Sequence, residues 1–97
     1  MPRRSEDDSE LARQRLSTLA RRLKQLRTWR GLTQKDLATR AGLSSDYVAR
    51  LEQGRVTPGL MRLWEIADAL EIPLSDLFNE GLPTAWRHGR PARPPAG

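Results

Sequence analysis

The sequence predicts an all-α protein in which five helices surround one aliphatic core. Apolar residues recur at helical spacing, residues that start and stop helices stand between these runs, and no stretch alternates as a half-buried strand would. Hydrophobic residues make up 37% of the 97 and aromatic residues 5%, so the core must be small and largely aliphatic. A chain of this length is long enough for one domain and too short for two independent cores.

The first predicted helix covers residues 5–30, which contain neither proline nor glycine. Its apolar residues are spaced alternately by four and three, so that they share one side of a helix: Ala12, Leu16, Leu19, Leu23 and Leu26. Ser5 is expected to cap its start and Gly31 to end it. Because the core needs the later leucines, residues 1–17 are interpreted as a helical extension continuous with the first helix.

Two short helices follow, and only a glycine and a leucine separate them. Thr33 is the predicted N-cap of the second helix, with Asp36 three residues later in an arrangement close to a capping box. Gly42 is predicted to end this helix, because glycine adopts a left-handed conformation at little cost. Ser44 is predicted to cap the third helix and Gly54 to end it.

The fourth helix is predicted to begin at Thr57 and Pro58, a cap followed by proline at the first helical position. Its apolar side is expected to carry Leu60, Leu63, Ile66, Ala67 and Leu70. Pro73 then opens a short fifth helix, whose apolar residues are expected to be buried: Leu74, Leu77 and Phe78. The domain is therefore assigned to residues 18–80, and residues 81–97, rich in proline, glycine and arginine, are predicted to be a flexible, mostly disordered tail.

Enzymatic and metal sites are not expected. The sequence has no cysteine, which excludes disulfides, thiolate zinc sites and cysteine nucleophiles. Its only histidine, His88, stands in the proline-rich tail without a second metal ligand nearby, and no glycine-rich phosphate loop precedes a helix. We therefore expect no catalytic residue, no metal and no cofactor. No apolar run suggests a signal peptide or a membrane span, which favours a cytoplasmic protein without a membrane partner.

The formal net charge is +5, and its distribution is uneven. Basic residues gather early in the domain: Arg21, Arg22, Lys24, Arg27 and Arg30. Acidic residues gather late: Asp68, Glu71, Asp76 and Glu80. A chain polarised in this way could present a positive face to a polyanion, or it could simply carry an ordinary solvated charged surface.

The corner between the second and third helices explains the small residues there. A small side chain at Ala38 lets two helices cross near a right angle, and Gly42 supplies the tight turn. The remaining apolar positions are expected to fix the crossing angle by packing on the rest of the domain: Leu37, Ala41, Leu43, Val48 and Leu51.

The run from Leu23 to Phe78 resembles a helix-turn-helix domain of the lambda-repressor and Cro type, the Xre-like family of bacterial and phage regulators. Three segments carry the resemblance in order: LKQLRTWRGLTQKDLA, AGLSSDYVARLEQG and TPGLMRLWEIADALEIPLSDLF. The resemblance implies a sequence-specific regulator of transcription that binds double-stranded DNA, associated with the nucleoid in the cytoplasm. The helix over residues 45–53 would lie in the major groove and the preceding helix would brace on the phosphate backbone.

Four residues of the third helix face away from its buried side and are the candidates for base contacts: Ser45, Asp46, Ala49 and Arg50. Arg50 can donate two bonds to guanine, or bind a phosphate nonspecifically. Asp46 can accept from cytosine, or merely favour the helix N-terminus. Ala49 is small enough to touch a thymine methyl group, and Ser45 specifies little alone.

The candidates for phosphate contacts surround this helix: Gln34, Lys35, Tyr47, Arg55 and Thr57. Gln34 is placed by the resemblance at a helix start, where an amide and free N–H groups bind phosphate. Tyr47 could instead pack its ring against the second helix. The resemblance also implies a structural ion pair between Arg27 and Glu52.

A homodimer is expected, since one recognition helix reads only a few base pairs. The candidate dimer residues belong to the short fifth helix with the segment after it, or to the N-terminal extension: Leu11, Leu16, Leu74, Leu77, Phe78 and Trp86. The extension could alternatively fold against the C-terminal segment of its own chain. A different function class also stays open, in which the same domain is an adaptor or antitoxin that grips a partner protein.

Overall fold

The computed structural model describes residues 6–83, and they form four α-helices and one short 3-10 helix without any strand. The α-helices are α1 (Glu6–Trp29), α2 (Gln34–Ala41), α3 (Ser45–Glu52) and α4 (Leu60–Leu70). The 3-10 helix spans Leu74–Phe78. The all-α prediction is therefore confirmed, but the fifth element is a 3-10 helix, a form that proteins use for such short pieces.

The predicted caps of α2 are confirmed. The Thr33 hydroxyl accepts from the Asp36 backbone N–H at 2.9 Å, and the Asp36 carboxylate accepts from the Thr33 N–H at 2.9 Å, which completes a capping box. Gly42 ends the helix with φ 73°, in the left-handed region. Ser44 also caps α3 as predicted, because its hydroxyl accepts from the Tyr47 N–H at 3.0 Å.

The predicted start of α4 is wrong by two residues. The helix begins at Leu60, its N-cap is Gly59, and neither Thr57 nor Pro58 is helical. Proline biases the residue before it toward extended backbone and fixes only its own φ, so it permits a helix start without forcing one. Leu60 is consequently the first residue of α4 and is 57% exposed, and the buried stripe begins one turn later, at Leu63.

One aliphatic cluster joins α1, α2, α3, α4 and the 3-10 helix. Its largest fully buried aliphatic side chains come from all five elements: Leu23, Leu26, Leu37, Val48, Ile66, Leu70 and Leu77. Phe78 was expected to be buried and is 61% exposed. A 3-10 helix has three residues per turn, so Leu74 and Leu77 share a side and Phe78 is rotated away from it.

The early basic cluster is not a positive face, because three of its five members point inward. Arg22 and Arg30 are buried, and Arg27 is largely buried. The Arg22 guanidinium donates twice to the Asp76 carbonyl, at 2.9 and 3.1 Å, and once to the Gly81 carbonyl at 2.8 Å. Burial lowers the pKa of Arg22, since desolvation disfavours the charged form.

The packed part of the chain continues beyond the predicted boundary at residue 80. Pro83 is fully buried, and Gly81 is fixed by its bond from Arg22. Residues 84–97, which include Trp86, His88 and most of the predicted tail, lie outside the described residues. None of the helices within residues 6–83 is both long and apolar enough to cross a membrane, and the same residues contain no cluster of metal-binding side chains.

Candidate nucleic-acid interface

The corner between α2 and α3 is fixed from inside by small and aliphatic residues. Ala38 is 2% exposed and Leu37 is 1% exposed, so α2 packs closely on α3 and α4. The Leu43 N–H donates to the Ala38 carbonyl at 2.8 Å, which closes the turn. The turn and the packing of α2 therefore fix the orientation of α3 relative to the rest of the domain.

Helix α3 has one buried and one exposed side. Val48 and Leu51 are 1% and 2% exposed and pack into the core. The four candidates for base contacts lie on the other side: Ser45, Asp46 and Arg50 are exposed and Ala49 is half-buried. The structure thus presents a short row of polar side chains on a helix that the domain braces from behind.

The Arg50 side chain has two partners on this surface. Its Nε lies 3.1 Å from the Asp46 carboxylate, one turn earlier on the same helix. Its guanidinium carbon also lies 5.9 Å from the centroid of the Tyr47 ring, within range of a cation–π contact. Asp46 and Tyr47 therefore hold the guanidinium close along α3, an arrangement that residue types alone did not predict.

Glu52 joins three elements behind this surface. Its carboxylate receives bonds from Arg27 Nε at 2.6 Å and Arg27 Nη2 at 3.0 Å, so the predicted partners form a bidentate pair. The Arg27 Nη1 donates in addition to the Leu32 carbonyl at 2.7 Å. The Glu52 side chain is only 3% exposed, which makes α1, α2 and α3 interdependent at this point.

Gln34 belongs to the same network. Its amide Nε2 donates to Glu52 at 3.1 Å. The sequence reasoning assigned Gln34 to a phosphate and did not predict this bond, because the two residues are 18 positions apart and no local pattern connects them. The bond ties the Gln34 amide at the start of α2 to the last residue of α3.

The other candidates for phosphate contacts have different surroundings. Lys35 and Arg55 are exposed, and Arg55 bonds only weakly to Gln53 at 3.4 Å. Tyr47 is half-buried and its ring packs against the core. Thr57 is exposed but lines a groove beside α1, together with Pro58.

That groove, called here the α1 groove, has a volume of about 980 Å³. It lies between residues 12–25 of α1 on one side and Thr57, Pro58 and residues 77–81 on the other. Its apolar lining consists of Ala12, Leu16, Leu19, Pro58, Leu77 and Phe78. The sequence predicted the apolar stripe on α1 but not the residues that line the opposite side of the groove.

Five of the six predicted dimer residues lie among the described residues, and they differ in exposure. Leu11 and Phe78 are 41% and 61% exposed, and Leu16 is half-buried in the groove wall. Leu74 packs against the core, and Leu77 is 1% exposed. Leu77 is therefore wrong as an exposed dimer residue, because its side chain is committed to the core of its own chain.

A family model described as "Helix-turn-helix" matches residues 23–77, a span from the last two turns of α1 to the 3-10 helix. This span contains the corner, α3 and the Glu52 network, and it excludes the first half of α1. The match therefore covers more than half of the chain, and residues 6–22 of α1 lie outside it.

Curated relatives align with the same region. The immunity repressor protein of Bacillus phage phi105 is 41% identical over 63 residues, which cover 65% of this chain and 44% of that protein. The HTH-type transcriptional regulator DdrOP3 of Deinococcus deserti is 42% identical over 60 residues, which cover 62% of this chain and 46% of that protein. The chain thus spans about half the length of these relatives.

Solved structures share the fold. The restriction-modification controller protein C.AhdI of Aeromonas hydrophila is 38% identical, with a TM-score of 0.64 over 65% of this chain and 96% of that one. An HTH_3 family transcriptional regulator of Vibrio cholerae is 36% identical, with a TM-score of 0.63 over 65% of this chain and 35% of that one.

Proposed function

Because the chain belongs to the helix-turn-helix, Xre-like family of transcriptional regulators, we propose that it binds double-stranded DNA sequence-specifically as a dimer. In this proposal α3 enters the major groove of a near-palindromic operator, and two half-sites lie about 34 Å apart. The single observation that carries the proposal is the two-sided geometry of α3, whose Val48 and Leu51 are buried while Asp46 and Arg50 stay exposed. The setting would be the nucleoid of a bacterial cell or of a phage-infected one.

The roles on α3 follow from chemistry and position. Arg50 is the main candidate for base readout, because its planar guanidinium can donate two bonds to guanine O6 and N7. Asp46 holds that guanidinium from the same helix and can accept a bond from cytosine. Ser45 and Ala49 complete the surface that faces the bases.

The phosphate contacts are assigned to the ends of α2 and α3. Gln34 and Lys35 stand in the first turn of α2, where backbone N–H groups favour an anion. Arg55 follows α3, and Tyr47 can direct its hydroxyl outward while its ring stays packed. Each phosphate neutralised should add about 0.9 to the slope of log affinity against log salt. Thr57 is the weakest member, since it lines the α1 groove.

The test is selection of bound sequences from a random pool of duplex DNA by the full chain. We expect an enriched inverted repeat, which would identify the partner, its symmetry and its half-site spacing together. A pool that stays random after repeated rounds at low salt would overturn the proposal.

Arg50→Ala then tests the assigned reader. We expect discrimination among half-sites to fall by about 1–3 kcal/mol while the helical content stays unchanged. Arg62→Ala is the matched control, because it removes the same charge from an exposed ion pair on α4. If both variants lose only affinity and keep the same sequence preference, Arg50 is not the base reader.

The adaptor alternative makes the opposite prediction. A protein that used this domain only to grip a partner protein would tolerate Arg50→Ala and enrich no DNA. The regulators named above favour the DNA assignment over this alternative.

A further inference from the structure

Arg50 is held by two residues of its own helix. Its Nε donates to the Asp46 carboxylate at 3.1 Å, and its guanidinium carbon lies over the Tyr47 ring, 5.9 Å from the centroid. The acid precedes the base by four residues, which is the favourable order for an ion pair along a helix. The carboxylate therefore contacts one edge of the guanidinium, and the aromatic ring gives it a second contact.

Both partners of Arg50 have defined positions on α3. The Tyr47 ring packs against the core, and the Tyr47 N–H donates to the Ser44 hydroxyl at 3.0 Å. Asp46 lies in the first turn of the same helix. The side chains of Arg50 and Asp46 are 45% and 80% exposed, so the pair lies open to a partner on the surface of α3. Because exposed pairs contribute little to stability, this one can be removed without unfolding the domain.

The bond through Nε leaves another edge of the Arg50 guanidinium unused. An arginine side chain has five N–H donors, one on Nε and two each on Nη1 and Nη2. Within residues 6–83, neither Nη atom of Arg50 donates a hydrogen bond. Two parallel N–H bonds from this Nη edge match the O6 and N7 acceptors that guanine presents in the major groove.

We propose that Asp46 is a positioning residue that acts through Arg50, and that Arg50 so held reads one guanine in each half-site. By accepting from Nε, Asp46 reserves the Nη edge for the base and lowers the cost of ordering the long Arg50 side chain on binding. This inference deepens the proposed function and rests on it.

The charges of α3 favour a base over a phosphate as the partner of Arg50. Its exposed charged residues are Asp46 and Arg50, whose charges cancel, while the Glu52 carboxylate is paired with Arg27. A phosphate that approached Arg50 would also meet the Asp46 carboxylate, whereas guanine offers neutral acceptors. Attraction to the DNA backbone is therefore assigned to exposed cations outside α3, such as Arg55.

The first experiment compares the sequences that the wild-type chain and Asp46→Ala select from one random pool of duplex DNA. The wild-type motif should contain a guanine position in each half-site that Arg50→Ala removes. Asp46→Ala should lower the preference for guanine at that position about three- to tenfold, because the DNA must then order the Arg50 side chain itself. The affinity for random DNA should rise, since a negative charge beside the backbone is lost.

A double-variant cycle separates positioning from direct readout. If Asp46 acts through Arg50, adding Asp46→Ala to Arg50→Ala should leave the remaining sequence preferences unchanged. An Asp46 that accepted a bond from a cytosine on its own would lose preference in the Arg50→Ala background as well, and the two losses would add. Additive losses would overturn the inference.

Two further variants serve as controls. Glu10→Ala also removes the acid of an exposed pair with an arginine, and it lies outside the matched domain. It raises the net charge by the same unit and should leave the guanine position intact. Arg50→Lys keeps the charge but replaces the planar fork by a single ammonium group, so it should lose the guanine preference. Circular dichroism establishes that each variant keeps its helical content.

The second experiment measures how affinity for the selected site depends on salt. Arg50→Ala should change the slope of log affinity against log salt little, because a contact to guanine neutralises no phosphate. Arg55→Ala should lower that slope by about 0.9. An equally large decrease for Arg50→Ala would place the guanidinium on a phosphate and contradict the inference.

The outcomes distinguish this inference from the proposed function. An enriched motif that has no guanine position dependent on Arg50, or whose guanine position is indifferent to Asp46→Ala, would overturn the inference and leave sequence-specific DNA binding intact. A pool that stays random with the wild-type chain would overturn the proposed function, and the inference with it.

Discussion

The corner formed by α2 and α3 is stabilised differently from the first half of α1. Each helix of the corner has only eight residues, too few to be stable alone, and each is held by a side-chain cap and a buried apolar face. The 24-residue α1 needs less support and extends beyond the core with apolar residues uncovered. The corner buries its apolar residues within one chain, whereas the start of α1 leaves apolar residues exposed within the part of the chain that the structure describes.

The difference also appears in the charged residues. Behind the corner, Glu52 is almost fully buried and bonded to Arg27 and Gln34. On the first half of α1, Glu10 and Arg13 form an exposed pair within one helix. Buried pairs of the first kind are costly to break, while exposed pairs contribute little to stability and are available to a partner.

The largest expected effect is a loss of stability when the buried ion pair behind the corner is removed. Glu52→Ala should lower the free energy of unfolding by about 3–5 kcal/mol, because it leaves the Arg27 guanidinium largely buried without its carboxylate. Urea unfolding followed by circular dichroism measures the change. Glu65→Ala, which removes an exposed carboxylate from an ion pair on α4, is the control and should change stability far less. Equal effects from the two variants would contradict the structural role of Glu52.

Two neighbouring residues of the 3-10 helix differ in burial, since Leu77 lies in the core and Phe78 is exposed. Leu77→Ala should destabilise the fold by about 2–5 kcal/mol, because it leaves a cavity at a side chain that is 1% exposed. Phe78→Ala should have a much smaller effect on unfolding of the monomer, since that ring is 61% exposed. The same variant should weaken the proposed dimer in sedimentation. The contrast fails if Phe78→Ala unfolds the monomer as readily as Leu77→Ala.

A smaller effect tests the cap of α3. Ser44→Ala removes the hydroxyl that accepts from the Tyr47 N–H and should cost about 1 kcal/mol of stability. Ser45→Ala, one residue later and exposed, serves as the control for the loss of a hydroxyl. Thermal and urea unfolding of both variants give the comparison, and a cap without importance would make them indistinguishable.

The smallest expected effect is a pH dependence at the start of α2. The Thr33 backbone N–H, which bonds the Asp36 carboxylate, lowers the pKa of that residue below its usual value. The contribution to stability is therefore fully present above about pH 4 and is lost as the pH falls through the lowered value. NMR titration of Asp36 measures it, and Thr33→Ala, which removes the hydroxyl but keeps the backbone N–H, should move the pKa only part of the way back toward the usual one. A wild-type pKa at or above the usual value would contradict the capping box.

The caps of the corner could be predicted because their causes are local. Thr33, Asp36, Gly42 and Ser44 act on backbone groups within three or four residues, so spacing along the sequence is enough to identify them. The pairing of Arg27 with Glu52 came from the family resemblance, since 25 positions separate the two residues. The predicted start of α4 was wrong because Pro58 permits a helix start without requiring one, so the local sequence is compatible with more than one starting residue.

The candidate site was predictable in its residue types but not in its contacts. The outward side of α3 follows from helical periodicity around Val48 and Leu51. The bond from Gln34 to Glu52 does not, and neither does the removal of Arg22 from the surface. Composition showed a basic cluster early in the domain, but a residue type does not reveal whether its side chain meets solvent or a backbone carbonyl.

By itself, the sequence determined the helices, their caps and the apolar side of each, because hydrogen bonds at helix ends and side-chain periodicity act over a few residues. Only the tertiary structure decided which arginines are internal, which side of the 3-10 helix is buried and where a groove stays open. These outcomes depend on how distant segments meet. Burial and desolvation are properties of the packed chain as a whole, and no single segment carries them.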